Sequence, residues 1–140
     1  MKNVKQTHTR KISPKLGILG FLGFFGFIGL APWFWDFKEI LPVPFPLFFF
    51  GFFGFFGFYY EGKMSGTLID ERFQLNMYRA ESIANKVSLS IIILVAILTI
   101  SILRLSSYDT LSLIIATIGF SFGLSIFLQP YLLYRFENEE

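Results

Sequence analysis

The residues with the widest chemical repertoire lie close together at Asp70-Glu71-Arg72-Phe73, with Arg79 following two turns later. Paired carboxylates beside a guanidinium can relay a proton or hold a cation. Their spacing argues against both. On a helix, neighbours at i and i+1 point in different directions, so Asp70 and Glu71 cannot share a proton or chelate one ion as a pair. The motif reads as a solvated helix start with acids at the positive end of the helix dipole. Arg72 is then placed to bridge to Asn76 or to a phospholipid headgroup. The single histidine, His8, falls in a polar N-terminal arm expected to be disordered. There are no cysteines, which excludes disulfides, thiolate metal sites and cysteine nucleophiles. No G-x-S-x-G, H-E-x-x-H or phosphate loop occurs. The expectation is a non-enzyme with no catalytic, metal-binding or cofactor-binding residue and no cofactor. A net charge of +2 gives no general attraction to nucleic acid.

The elements that carry these residues are membrane helices. Charged residues make up only 16% of the chain, against about 25% in soluble domains, and the apolar residues form long runs. The first runs from Leu16 to about Trp35, without a charge and without a clear signal-peptide cleavage site. At about 1.5 Å per residue its length covers the roughly 30 Å hydrocarbon core, and Trp33 and Trp35 suit the headgroup region. A second segment spans about Ile40 to Tyr60 and ends on Tyr59-Tyr60. Pro42, Pro44 and Pro46 confine its start to an extended lead-in or a first turn. A helix beginning near Pro46 would reach only roughly 22 Å, so either an extended lead-in completes the crossing or the segment is re-entrant. The third and fourth spans run from about 87 to 103 and from about 111 to 133. No charge lies mid-membrane, which removes the usual sign of proton-coupled transport.

Orientation follows from the basic residues. Lys2, Lys5, Arg10, Lys11 and Lys15 precede the first span. Lys63, Arg72, Arg79 and Lys86 lie in the 61–86 connection, and Arg135 lies in the acidic 135–140 tail. Only Lys38 and Arg104 fall on the other side. Lys and Arg are retained in the cytoplasm. The expected architecture is therefore an all-α bundle of four transmembrane helices in the bacterial cell membrane, with both termini cytoplasmic.

Two low-complexity stretches stand out. Gly17, Gly20, Gly23, Gly26 and Gly29 recur every third residue, as do Gly51, Gly54 and Gly57, with Phe between them. At about 3.6 residues per turn that line drifts about 60° per step and makes an oblique groove along the i±3 row. Phe side chains of one span are expected to lie over glycines of the other in a closely packed hairpin. Phe is a poor pore lining, since it offers no coordination to ions or water. In the fourth span Gly119 and Gly123 form a G-x-x-x-G pair for helix packing within the bundle or in a homo-oligomer. Thr117, Ser121, Ser125 and Gln129 recur every fourth residue, a polar edge for packing or, alternatively, a substrate path.

Between Glu61 and Lys86, Thr67 and Asp70 have capping-box-like spacing. Ile69, Phe73, Ala80, Ala84 and Val87 then share one helical face, with Asp70, Glu71, Arg72, Arg79 and Glu81 off it. No breaker follows, so one helix from about Leu68 to Leu103 is predicted, its first half a cytoplasmic extension. Asp70, Glu71, Arg72, Phe73 and Arg79 are the candidate partner-binding residues there.

The run Lys15-Leu16-Gly17, the Phe-Gly repeats around Gly51–Phe58, Glu61-Gly62-Lys63 and Asp70-Glu71-Arg72-Phe73 together resemble a family of small predicted membrane proteins of unknown function from Firmicutes. The likeness covers roughly residues 15 to 135. It implies no catalytic residues. It does imply a membrane partner in a sensing or immunity pair, because such proteins are often encoded beside small helix-turn-helix repressors. The expected function is a non-enzymatic immunity, stress or regulatory accessory acting through lipid or protein contacts; a small homo-oligomeric transporter or channel is the alternative.

Overall fold

Glycine at every third position is compatible with two helices. An α-helix winds the glycines around its surface. A 3-10 helix, with about 3.0 residues per turn, eclipses positions i and i+3 and lines them up. The computed structural model, which describes residues 7–35 and 44–139, adopts the second solution in both repeats. Helix α1 is a 3-10 helix over Pro14–Leu30 that closes in an α-helical turn, Ala31–Phe34. Helix α2 is 3-10 over Phe45–Phe56 and α-helical over Gly57–Lys63. The oblique glycine groove expected at an α period is thus replaced by straight columns. Gly17, Gly20, Gly23, Gly26 and Gly29 are all buried on one edge of α1.

Uninterrupted 3-10 runs of this length are uncommon, because eclipsed side chains crowd one another. Here the crowding is turned into contact. Phe50, Phe53 and Phe56 form one stack with centroids 6.1 and 6.2 Å apart and planes within 14°. Phe21, Phe24 and Phe27 form another at 6.0 Å. Both spacings equal the 3-10 pitch of about 6 Å. The two stacks meet edge to face, Phe21 on Phe56, Phe24 on Phe53 and Phe27 on Phe50, at 5.2–5.3 Å. Below them the glycines of α1 receive the same Phe column in antiparallel register. A Cβ at Gly20, Gly23 or Gly26 would fall 2.5–2.6 Å from the ring of Phe56, Phe53 or Phe50 respectively. Only glycine lets the two axes come this close.

The 3-10 rise also lengthens the hairpin. Twelve residues of α2 at about 2.0 Å rise about 24 Å, and its seven α-helical residues add about 10 Å. The sum is about 34 Å over residues 45–63, and residues 46–60, for which an α-helix gives roughly 22 Å, reach about 28 Å. Lys2, Lys5, Lys38, Pro42 and the start of the second segment near Ile40 lie outside the described residues.

Helix α3 comprises Glu71–Leu98 and a π-helical turn, Thr99–Leu103. The turn follows a Thr99 hydroxyl that donates to the Val95 carbonyl at 2.7 Å. Helix α4 is continuous from Ser107 to Glu139. The chain is all-helical, and no strand occurs among the described residues. Three of its helices, Pro14–Phe34, Glu71–Leu103 and Ser107–Glu139, are long and apolar enough to cross a membrane. Packing runs in the order α1, α2, α4, α3. At the end opposite Lys15, Lys63 and Arg135, the Trp33 indole donates to Asp109 at 2.8 Å and ties the hairpins together.

Candidate functional site

The D-E-R-F motif lies where α3 begins, and the structure divides its residues among different tasks. Asp70 is the N-cap; its Oδ1 accepts from the Phe73 amide at 2.7 Å. Helix α3 thus starts three residues later than Leu68. Thr67 is not the cap. Its hydroxyl donates to the Met64 carbonyl at 2.7 Å, closing the turn after α2. Phe73 is 3% exposed and packs with Met64, Ala80 and Leu133, so it is a core residue and not part of a partner surface. Ile69, four residues before Phe73, packs against the same cluster. Arg79 lies with its guanidinium 4.5 Å from the Phe136 ring centroid. Glu71 and Arg72 are exposed.

Two residues assigned no role from sequence join that exposed side. Leu75 is 70% and Tyr78 62% exposed. Both interrupt the polar face of α3 with apolar surface, which is the signal that could have singled them out. Residues 135–139 of the acidic tail are helical. Helix α4 carries them alongside α3, where the Asn76 amide donates to Glu137 at 2.7 Å.

The N-terminal arm, expected to be disordered, is docked from Thr7 onward. The Ile69 amide donates to the Thr7 carbonyl at 2.8 Å, and the Thr9 amide to Thr67 at 2.9 Å. The Thr9 hydroxyl donates to the Met64 carbonyl at 2.6 Å. Arg10 reaches Glu61 at 3.0 Å. His8 makes a bridge with Leu68 and is exposed, away from any cluster of titratable groups. Among the described residues no three His, Asp or Glu side chains gather as metal ligands would.

On α4, Thr117 donates back to the Leu113 carbonyl at 2.7 Å, Ser121 is fully buried, and Ser125 donates to Asn85 of α3 at 2.9 Å. Gly119 and Gly123 pack on Phe48 and Gly51 of α2.

An aromatic cluster closes the basic end of α2. The Tyr60 ring meets Phe127, Tyr131 and Tyr134 at 5.2–6.0 Å. The Lys63 ammonium sits 4.5 Å from the Tyr59 centroid and 5.4 Å from that of Tyr134. Hydrogen bonding to the Tyr59 side chain and the nearby Tyr134 hold the Lys63 proton more firmly than usual, against a smaller desolvation effect.

Compared with protein-family models, curated proteins and solved structures, the chain matches none.

Proposed function

We propose that the chain is a four-span membrane protein with both termini cytoplasmic, acting without chemistry of its own. In this reading it binds a protein partner through the exposed side of α3 around Arg72, Leu75 and Tyr78. The observation that carries it is the exposure of Leu75 and Tyr78 on the stretch of α3 that precedes its apolar segment. Apolar surface facing water beside a free-standing charge marks a contact site. The 3-10 rise gives residues 46–60 a reach of about 28 Å, which supports a full second crossing. The concentration of Lys and Arg at one end supports the orientation. An immunity, stress or regulatory accessory is the process that the family resemblance favours.

Two measurements test this. With no native cysteine, single Arg72→Cys and Arg104→Cys variants in intact cells report sidedness. Labelling of position 72 from outside would overturn the orientation. Capture with the full chain, compared with a triple Arg72→Ala, Leu75→Ala, Tyr78→Ala variant, reports the contact. Identical partner sets would sink it. We place a small homo-oligomeric transporter or channel second, because Thr117 and Ser125 engage their hydroxyls in bonds within the bundle.

A further inference from the structure

Beneath the docked arm lies a partly enclosed cavity of about 440 Å³ between α2, α3 and α4, within the size range of small-molecule sites. Its wall is apolar, made chiefly of Met64, Phe73, Met77, Ile126 and Leu133. Four polar side chains interrupt it, one of them Thr9, whose hydroxyl is taken up by the Met64 carbonyl. Arg10 and Glu61 stand at the basic end, 3.0 Å apart. Gln129 lies further along. The cavity is therefore amphipathic, with a paired cation and anion at one end, an amide along its side and hydrocarbon elsewhere. We propose that it binds one membrane glycerophospholipid whose headgroup carries both a phosphate and a primary ammonium.

Each part of that ligand answers a feature of the site. An acyl chain fills apolar space that would otherwise cost contact energy. A glycerol ester carbonyl accepts from the Gln129 amide. The phosphate pairs with the Arg10 guanidinium, a planar fork suited to it. The ammonium pairs with Glu61. Because Arg10 and Glu61 are both solvent-accessible, their own ion pair is worth little, and exchanging it for headgroup contacts is nearly balanced. A headgroup with net negative charge meets Glu61 with like charge. A quaternary ammonium cannot donate a hydrogen bond to it.

Native mass spectrometry of the full chain, exchanged from detergent into equimolar phosphatidylethanolamine and phosphatidylglycerol, tests the assignment. The expected result is a several-fold excess of ethanolamine-lipid adducts. Glu61→Gln is expected to bring the ratio close to parity while lipid remains bound, and Met77→Trp to reduce both adducts. Equal adducts on the unaltered protein, no adduct at all, or an unchanged preference in Glu61→Gln each overturn the proposal. So does a Met77→Trp variant that unfolds like the parent and keeps its lipid. If Met77→Trp does not fold, the half-exposed Glu61→Gln variant decides alone. Neither substitution touches Arg72, Leu75 or Tyr78, so the outcome is separate from that of the partner surface.

Discussion

Gly54 and Gly123 meet backbone to backbone: a Cβ on Gly54 would lie 2.6 Å from the Gly123 carbonyl oxygen, and one on Gly123 would lie 2.7 Å from that of Gly51. Two different helices mesh here. Three residues of 3-10 helix at about 2.0 Å and four of α-helix at about 1.5 Å both rise about 6 Å. A G-x-x-G on α2 therefore keeps step with a G-x-x-x-G on α4. Gly57 continues the column to Ile126, whose carbonyl Pro130 leaves without its helical donor.

Because the Gly54 contact is with backbone, no rotamer change relieves a side chain placed there. Gly54→Ala is expected to destabilise by about 2 kcal/mol, the usual scale of overpacking. Gly51→Ala, whose Cβ would meet Gly119 at 3.2 Å, should cost under about 1 kcal/mol, offset by the better helix propensity of Ala. Thermal unfolding in detergent, followed by circular dichroism, gives the order. Equal losses would mean that the helices are not seated as described.

The 3-10 period itself is measurable. Leu16 and Ile28 are both exposed on α1, twelve residues apart on one column. Their backbones should be about 24 Å apart at the 3-10 rise, against about 18 Å for an α-helix. Spin labels on Leu16→Cys and Ile28→Cys, in a chain otherwise free of cysteine, distinguish the two. A distance distribution centred on the shorter value would remove the columnar packing.

Within the α3–α4 interface, Ser88 and Ser121 bury hydroxyls that have no hydrogen-bond partner among the described residues, one turn from the bonded pair Asn85–Ser125. Removing an unsatisfied buried hydroxyl costs nothing in lost bonds. Ser121→Ala should leave stability unchanged or raise it by about 1 kcal/mol. Ser125→Ala should lower it by about 0.6 kcal/mol, the average for such bonds in membranes. A larger loss at Ser121 than at Ser125, in the same melts, would show that Ser121 has a role beyond packing.

Helix faces were legible where one period dominated. Phe73, Ala80 and Ala84 turn inward on α3, whereas Val87, expected on the same face, is 38% exposed; the break near Leu103 falls at Arg104, which takes a left-handed backbone (φ 40°). The glycine repeats showed their importance but not their helix type, since a period of three announces 3-10 only once a matching Phe column is known to lie opposite. Docking of the arm was hidden for a different reason. Its bonds join residues 7–12 to residues 61–69, and no local pattern reports contacts so distant in sequence. The D-E-R-F motif misled because four adjacent residues on a helix start face four directions. Phe73 therefore belongs to the core while Arg72 does not.

That division yields the last test. Asp70 caps α3, so Asp70→Ala should lower stability by about 1 kcal/mol, and Asp70→Asn, which keeps a capping oxygen, by much less. Arg72→Ala and Leu75→Ala remove exposed groups with no structural task and should stay within about 0.5 kcal/mol of the parent. If α3 presents a contact surface, those two silent substitutions should weaken partner capture while Asp70→Asn leaves it intact. The reverse pattern, with capture tracking the melting temperature across all four variants, would show that the surface acts only through the fold that supports it.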